Sequence, residues 1–415
     1  MFEQLFTNPA AIACHRAAPY AEERTRYLTH CSQQGYSHAT LLLKARELLW
    51  VARKLSVYPD LRVTPAQLEA AAEWQDRQQA YGRPLNTQLI HTRFIAVARP
   101  WLRFLGCWCE PIEPVPFSKL MADFAAWRQD ARGLSVTTIQ RQSWYIGQFL
   151  RWYGTQQRSF ADICLGDIDT FLAQCGGNGW ARLTVRNMAN ALRAFFRYAG
   201  QHGWCQAAFA DAIQGPRVFA QESLPSGPTW PQVQSLLACL DTDRPGDIRD
   251  RAILMLFAMY GFRASEVAKL RLEAIDWERN RIRAPRTKQR RTQPYPLRPT
   301  MGQAIIRYLQ KVRPTCEHRE VFLTLYPPFR PLSGSGLHGL TSKHLQSLGE
   351  HTAHRGPHAL RHSCAAYLLA EGFSLQEIGD HLGHHSAAAT RIYAKVDLAG
   401  LREVAAFDGG ELLGN

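Results

Sequence analysis

Apolar residues recur at helical spacing through most of the chain, and in the first half they fall into two blocks of similar layout. In the first block the pattern predicts a helix over about 20–33, broken at Gly35 and Tyr36. Ser37 is placed to cap a long second helix reaching about Leu55, and Pro65 opens a third, to about Tyr81. A fourth covers about 86–105, with Pro100 as a kink inside it. The second block predicts helices over about 117–131, 135–153, 166–174 and 181–200. Residues repeat as well as layout. Gly35-Tyr-Ser-His-Ala-Thr40 resembles Gly133-Leu-Ser-Val-Thr-Thr138, each just before a long helix. Arg99-Pro-Trp-Leu-Arg-Phe-Leu-Gly106 resembles Arg193-Ala-Phe-Phe-Arg-Tyr-Ala-Gly200, each closing a fourth helix. Two tandem four-helix units are one reading; the other is that amphipathic helix pairs look alike.

A turn-rich stretch follows, with Gly215-Pro216 and then Leu-Pro-Ser-Gly-Pro over 224–228. Trp230 opens a third block, with helices expected over about 231–240 and, strongly apolar, 247–260. Between about 274 and 298 the period changes. Arg281-Ile-Arg-Ala and Gln293-Pro-Tyr-Pro-Leu read as short strands flanking a basic turn over 286–291. Helical spacing returns at about 301–312, a loop rich in proline, glycine and serine is expected over 327–339, and helices continue to about Ala406. The expected fold is mainly α with a small antiparallel β-sheet in the C-terminal domain. The expected domains are 1–110, 111–205 and 229–406, with a linker at 206–228 and a tail at 407–415.

Charge narrows the function. The 415 residues carry a formal net charge of +14, which favours a polyanionic partner, nucleic acid before membrane. No apolar run is long enough to span a bilayer, and the N-terminus, Met-Phe-Glu-Gln-Leu, lacks the basic and apolar regions of a signal peptide. Ten cysteines are scattered; Cys107 and Cys109 lie close, but no Cys-x-x-Cys pair accompanies them, so zinc is not expected. Reduced cysteines in a cytoplasmic protein are the simplest account. In the second block Arg141, Arg151, Arg182, Arg186, Arg193 and Arg197 lie among Trp144, Tyr145, Trp152 and Phe195. Such a face suits phosphate contact; the alternative is arginines on a solvated face with the aromatics in the core.

The candidate chemistry concentrates between Gly356 and Val396. Gly356-Pro-His-Ala-Leu-Arg-His362 opens a helix with Pro357 at its start and Gly372 past its end. His358 and Arg361, three apart, share one edge of it. Leu382-Gly-His-His-Ser386 follows, and Ser386 can cap a last helix that carries Tyr393. Upstream, Arg263 falls in the turn after the apolar helix, with Glu266 three residues on. Lys288 is the only lysine between Lys269 and Lys311, in the basic turn with Arg286, Arg290 and Arg291.

These residues resemble the tyrosine recombinase (phage integrase) family. The likeness runs from about Trp230 to Val396, in the family's order: Gly-Phe-Arg263-Ala-Ser-Glu266, Lys288 in a hairpin, His358-x-x-Arg361, Leu-Gly-His384, and Tyr393 nine residues on. The helical block before it is similar to the family's core-binding domain, a SAM-like DNA clamp. The family's lysine commonly sits between glycines, whereas Thr287 and Gln289 flank Lys288 here.

The resemblance implies site-specific breakage and rejoining of DNA through a 3′-phosphotyrosine at Tyr393, by a homo-tetramer on two duplexes. Accessory or directionality proteins are possible partners. It implies no cofactor, no metal and no ATP, and a bacterial, nucleoid-associated location. The block over 1–110 lies outside the family's minimal layout, which points to a transposon or integrative element. The chemistry fits this reading. A phosphodiester gains negative charge as it becomes five-coordinate, and Arg263 and Arg361 offer permanently charged planar forks to it. His358 and His384 can add hydrogen bonds or help take the tyrosine proton, and cations are expected to favour the phenolate of Tyr393. Lys288 can protonate the leaving 5′ oxygen, since its arginine neighbours hold their protons too tightly. Glu266 is expected to orient the arginines. Two alternatives stay open: a type IB topoisomerase-like relaxing enzyme, and a DNA-binding protein that does not cleave.

Overall fold

The computed structural model describes residues 1–58, 61–73, 87–110, 116–130, 133–206, 208–218, 227–286, 291–348, 355–384 and 386–396. By packing they form two units, Met1–Trp108 with Ser223–Asn415, and Cys109–Glu222. The hydrophobic clusters of the described residues are separate in each of the three sequence blocks.

The first block holds α1 (Phe2–Leu5), α2 (Pro9–Ala17), α3 (Ala21–Gln33), α4 (His38–Leu55), α5 (Pro65–Ala72) and α6 (Thr87–Leu105). Ser37 caps α4, its Oγ accepting from Thr40 N at 3.3 Å. Leu41, Ala45, Leu48, Ala52 and Leu55 form the buried stripe of that helix. They pack with Phe94, Ala98, Trp101 and Leu102 of α6, which carries Pro100 within it. The short helices α1 and α2 were not foreseen: α1 is shorter than two turns and shows no period. The expected third helix ends at Ala72, where Glu73 is extended, short of the expected end near Tyr81; residues 74–81 lie outside the described residues.

The second block holds α7 (Ser118–Asp130), α8 (Val136–Gly154), α9 (Leu165–Gly177), α10 (Arg182–Gln201) and the short α11 (Phe209–Ala212). Its core is aromatic. Phe149 sits edge-on to Phe171 and Phe196, and Phe195 edge-on to Phe124.

The third block is built around α13 (Pro245–Tyr260), buried on nearly every side from Ala252 to Ala258. Before it lies α12 (Trp230–Cys239), and after it the short α14 (Ala264–Ala268). A three-stranded antiparallel sheet follows in the order β1 (Ile275–Asp276), β2 (Arg281–Arg286) and β3 (Arg291–Pro296). Its β2–β3 register runs from Arg281 opposite Pro296 to Arg286 opposite Arg291, and residues 287–290 lie outside the described residues. Then come α15 (Pro299–Lys311), α16 (Gly334–Gln346), α17 (Pro357–Ala370), α18 (Leu375–Leu382) and α19 (Ala387–Thr390).

One expectation is corrected here. The stretch expected to be a loop to residue 339 becomes α16 from Gly334 onward. Glycines at 334, 336 and 339 argue against a helix, but Ser333 Oγ caps it at Gly336 N (3.1 Å) and Leu337, Thr341 and Leu345 are buried at helical spacing. Among the described residues no helix is long and apolar enough to cross a membrane.

Candidate active site

The site starts where α13 stops. Gly261 ends that helix in the left-handed region (φ 57°), where a Cβ would lie 2.3 Å from Leu382 Cδ2. Glycine there lets the chain turn and α18 approach closely. The turn places Arg263 at the N-cap of α14. Glu266, 0 % exposed, grips Arg263 twice: Oε2 accepts from its backbone N at 2.9 Å and Oε1 from Nη1 at 2.9 Å.

Helix α17 starts with Pro357 at its first turn and carries His358 exposed, Arg361 buried and His362 half-buried. Helix α18 begins with a capping box of Ser374 and Glu377 and ends at Gly383, again left-handed (φ 62°). His384 follows immediately. Tyr393 lies on a 3₁₀ turn, Arg391–Val396, after the short α19; the single last helix expected there is this α19 and 3₁₀ pair.

Two consecutive carbonyls at the end of α18 tie these pieces together. Leu382 O accepts from Arg361 Nη2 at 2.8 Å, and Gly383 O accepts from Arg263 Nη2 at 3.2 Å. Arg361 Nη1 also donates to Gly261 O. The helix C-terminus is the negative end of the backbone dipole, so it is a natural seat for guanidinium groups. The next residue, His384, holds its Nδ1 2.7 Å from Thr390 Oγ1 and lies parallel to the Tyr393 ring, 6.4 Å between centroids and 3° between planes. Arg263, Glu266, Arg361, His384 and Tyr393 are therefore brought together. His358 reaches the group through His362, their rings 6.1 Å apart.

Tyr393 is 2 % exposed and packs with Cys364, Ala365, Ile378 and Leu382. Burial pushes its phenol up to about 12, with Arg361 and Arg263 pulling the other way. Both arginines act in the expected direction, toward the phenolate, but desolvation outweighs them.

Lys288 and Arg290 lie outside the described residues; Arg286 and Arg291 end the paired strands, their side chains likewise outside. In the second block, four of the arginines bond to the returning segment of their own unit. Arg182 donates to Arg217 O, Arg186 to Val218 O at 3.1 Å and Arg193 to Ile213 O at 2.8 Å, while Arg197 pairs with Asp211 at 3.3 Å. Arg141 and Arg151 are exposed on α8.

One residue was missed. His362 Nδ1 lies 2.9 Å from Tyr393 Oη. Its signal was present: it falls four residues after His358, hence one turn along the same helix face.

A histidine–arginine–tyrosine cluster on a helical domain with a small sheet is an arrangement suited to handling phosphodiesters through a tyrosine. Residues 229–399 match the model of the phage integrase family. An inferred integrase/recombinase of Sinorhizobium fredii, y4rA, is 36 % identical across 67 % of this chain and 68 % of its own length. Tyrosine recombinase XerC of Roseiflexus castenholzii is 30 % identical across 65 % of this chain and 86 % of its own. Among solved structures, XerH site-specific recombinase bound to its difH substrate superposes with a TM-score of 0.55 at 17 % identity, across 88 % of this chain and 96 % of that one, a likeness of fold. The chain belongs to the phage integrase family and is a tyrosine-type site-specific DNA recombinase.

Proposed function

We propose that Tyr393 is the attacking group and that the residues around it carry the strand-transfer chemistry. Oη attacks the phosphorus of a DNA phosphodiester, a 3′-phosphotyrosine forms, and the bond to the 5′ oxygen breaks. Arg263 and Arg361 balance the charge that builds on the phosphoryl oxygens, and His358 and His384 donate hydrogen bonds to it. Glu266 keeps Arg263 aimed. Lys288 supplies the proton that the leaving 5′ oxygen needs. Rejoining runs the same steps backward, so the bond energy stays in the phosphotyrosine and no ATP is consumed.

The observation that carries this reading is the seating of both arginines on Leu382 O and Gly383 O, the two positions before His384. Three segments far apart in sequence are thereby fixed around one phenol. Because Tyr393 is buried, attack requires the 3₁₀ turn Arg391–Val396 to shift and present Oη to the phosphate. A 3₁₀ turn has poorer hydrogen-bond geometry than an α-helix, which suits a segment that moves.

The substrate in this proposal is a pair of duplex sites belonging to a mobile element, acted on by a homo-tetramer in the cytoplasm of a bacterium. The basic charge supports the nucleic-acid partner. The helical block before residue 109 supports the mobile element, because it adds a folded unit beyond what the chemistry needs.

The test is covalent capture. A library of random-sequence nicked duplexes, in which cleavage releases a short fragment that cannot rejoin, is incubated with the protein. Adducts are selected and their DNA sequenced. Wild type is expected to yield one enriched site linked by its 3′ end, and Tyr393→Phe to bind that site without forming adduct. Adduct from Tyr393→Phe at the wild-type rate overturns the assignment. Binding of one enriched site with no adduct from wild type favours the non-cleaving reading. Relaxation of plasmids without exchange between two sites favours the topoisomerase one.

A further inference from the structure

We propose that His362 is the catalytic residue that takes the proton from Tyr393 during cleavage and returns it during rejoining. The proposal rests on Tyr393 being the attacking group, and it moves the proton-accepting role away from His358 and His384.

The geometry is direct. Among the described residues, His362 Nδ1 at 2.9 Å is the hydrogen-bond partner of Tyr393 Oη. That distance permits transfer without an intervening water. With its proton on Nε2, the imidazole accepts at Nδ1. His384 is differently engaged. Its Nδ1 faces Thr390 Oγ1 at 2.7 Å, and its ring lies parallel to the tyrosine ring. His358 is exposed and its ring stands beyond that of His362, which places it toward an incoming phosphate. The series from Tyr393 to His362 (5.6 Å) to His358 (6.1 Å) leads from a buried hydroxyl to the exposed end of α17.

Chemistry makes an acceptor necessary. A phenol pushed up to about 12 by burial leaves about one molecule in 10⁵ as phenolate at pH 7. Imidazole, with an ordinary pKa of about 6.5, is the side chain suited to accept a proton at that pH. Room for the pair to move exists. A cavity of 280 Å³ borders both rings and is walled by Gly227, Pro228, Trp230 and Tyr367. The two side chains can shift together as the 3₁₀ turn presents Oη. The step balances. The Oη–H bond breaks toward Nδ1, Oη bonds to phosphorus, the bond from phosphorus to the 5′ oxygen breaks, and that oxygen takes its proton from the separate acid. On rejoining the imidazolium returns its proton to Oη.

The test uses the full chain and the nicked duplex enriched by wild type, made with either oxygen or sulfur at the 5′ leaving position. A thiolate leaves without a proton, so it bypasses the acid but not the base. His362→Leu is expected to slow single-turnover adduct formation by about 10²–10⁴-fold on both duplexes, the range of general acid–base catalysis. His362→Asn puts an amide where Nδ1 stood and keeps a polar contact, but it cannot take a proton. It is expected to remain at least about 100-fold slow. Should the leucine variant fail to fold, the asparagine variant decides alone. Recovery by asparagine to within threefold of wild type overturns the proposal in favour of positioning. A leucine variant as fast as wild type, or faster, overturns it in favour of a latch or of no role. Tyr393→Phe is run alongside. If it too forms adduct, the reading of the nucleophile has failed; if it is inert while His362→Leu is fast, only the present proposal has.

Discussion

Glu266→Gln isolates the contribution of one buried carboxylate while keeping its shape. Glu266 has 1 % of its side chain exposed and Arg263 has 19 %. The carboxylate accepts from Arg263 Nη1 and from Arg263 N, both at 2.9 Å. A glutamine has one acceptor for those two donors. Either its oxygen faces Nη1 and its amide N–H confronts the backbone N–H, or the reverse. Losing a charge-assisted bond costs about 1.5–3 kcal/mol, and stranding a buried donor about 1–3 kcal/mol. Breaking a fully buried pair costs about 3–5 kcal/mol, which bounds the sum from above. The exposed fraction of Arg263 pulls the figure down, so we expect a loss of about 2–4 kcal/mol. Guanidinium denaturation at neutral pH measures it, through a lower midpoint at unchanged slope. Adduct formation should fall by about 100-fold, because the guanidinium loses its charged partner while its contact to Gly383 O stays. In an Arg263→Ala background the same substitution should cost at least about 1 kcal/mol less, the signature of coupling. A loss below about 0.5 kcal/mol with adduct formation within threefold of wild type would show that Glu266 does not hold Arg263, and the reasoning would fail.

Two further outcomes follow from the same geometry. Gly261→Ala forces a Cβ into the left-handed region (φ 57°) and to within 2.3 Å of Leu382 Cδ2. It should cost about 2–4 kcal/mol in denaturation, the strain of the backbone plus displacement of α18, and a loss under about 1 kcal/mol would refute the close approach. Tyr393→Phe should change the response to alkali. The folded phenol, raised to about 12, stabilises the fold fully below the unfolded value of about 10, and that stabilisation is lost as pH rises from 10 through 12. Wild type should therefore lose about 2 kcal/mol relative to Tyr393→Phe between pH 8.5 and pH 11.5; parallel stability curves would place the hydroxyl in water.

Much of this was legible because helices announce themselves. Ser37, Pro65 and Ser135 mark starts that the structure places within a residue or two, and the apolar stripe of α4 reads off directly. Arg263, Arg361, His384 and Tyr393 could be picked out by order and spacing, yet their mutual bonds could not. Spacing does not reveal that two arginines 98 positions apart meet on adjacent carbonyls of a third segment. Residues 334–339 were misjudged because glycine counts against a helix locally, whereas burial of Leu337, Thr341 and Leu345 is a tertiary effect. The partners of the α10 arginines were hidden in a similar way. Their face was visible in the sequence, but the segment 211–218 that folds back to receive them carries no pattern that predicts it.

The bonds that build this site are also bonds that hold the domain. Arg361 joins the end of α13 to the end of α18 through Gly261 O and Leu382 O, and it is 3 % exposed. Removing it strands two helix-terminal carbonyls and opens a buried space, so lost activity in an Arg361 variant confounds chemistry with folding. His362 and Tyr393 differ. Their mutual bond joins two side chains and leaves no backbone group unsatisfied when broken. The proton path can therefore be altered with less disturbance to the scaffold than the charge-balancing pair. If burial raises the phenol and the arginines are already committed to carbonyls, lowering the barrier falls to whatever accepts the proton. An arriving phosphate sharpens that demand, since its own negative charge opposes a phenolate beside it until the arginines are shared with it. The physical cost of keeping the tyrosine covered is thus met by a neighbouring imidazole, and α17 carries that imidazole next to Arg361, so one helix supplies both the charge and the base.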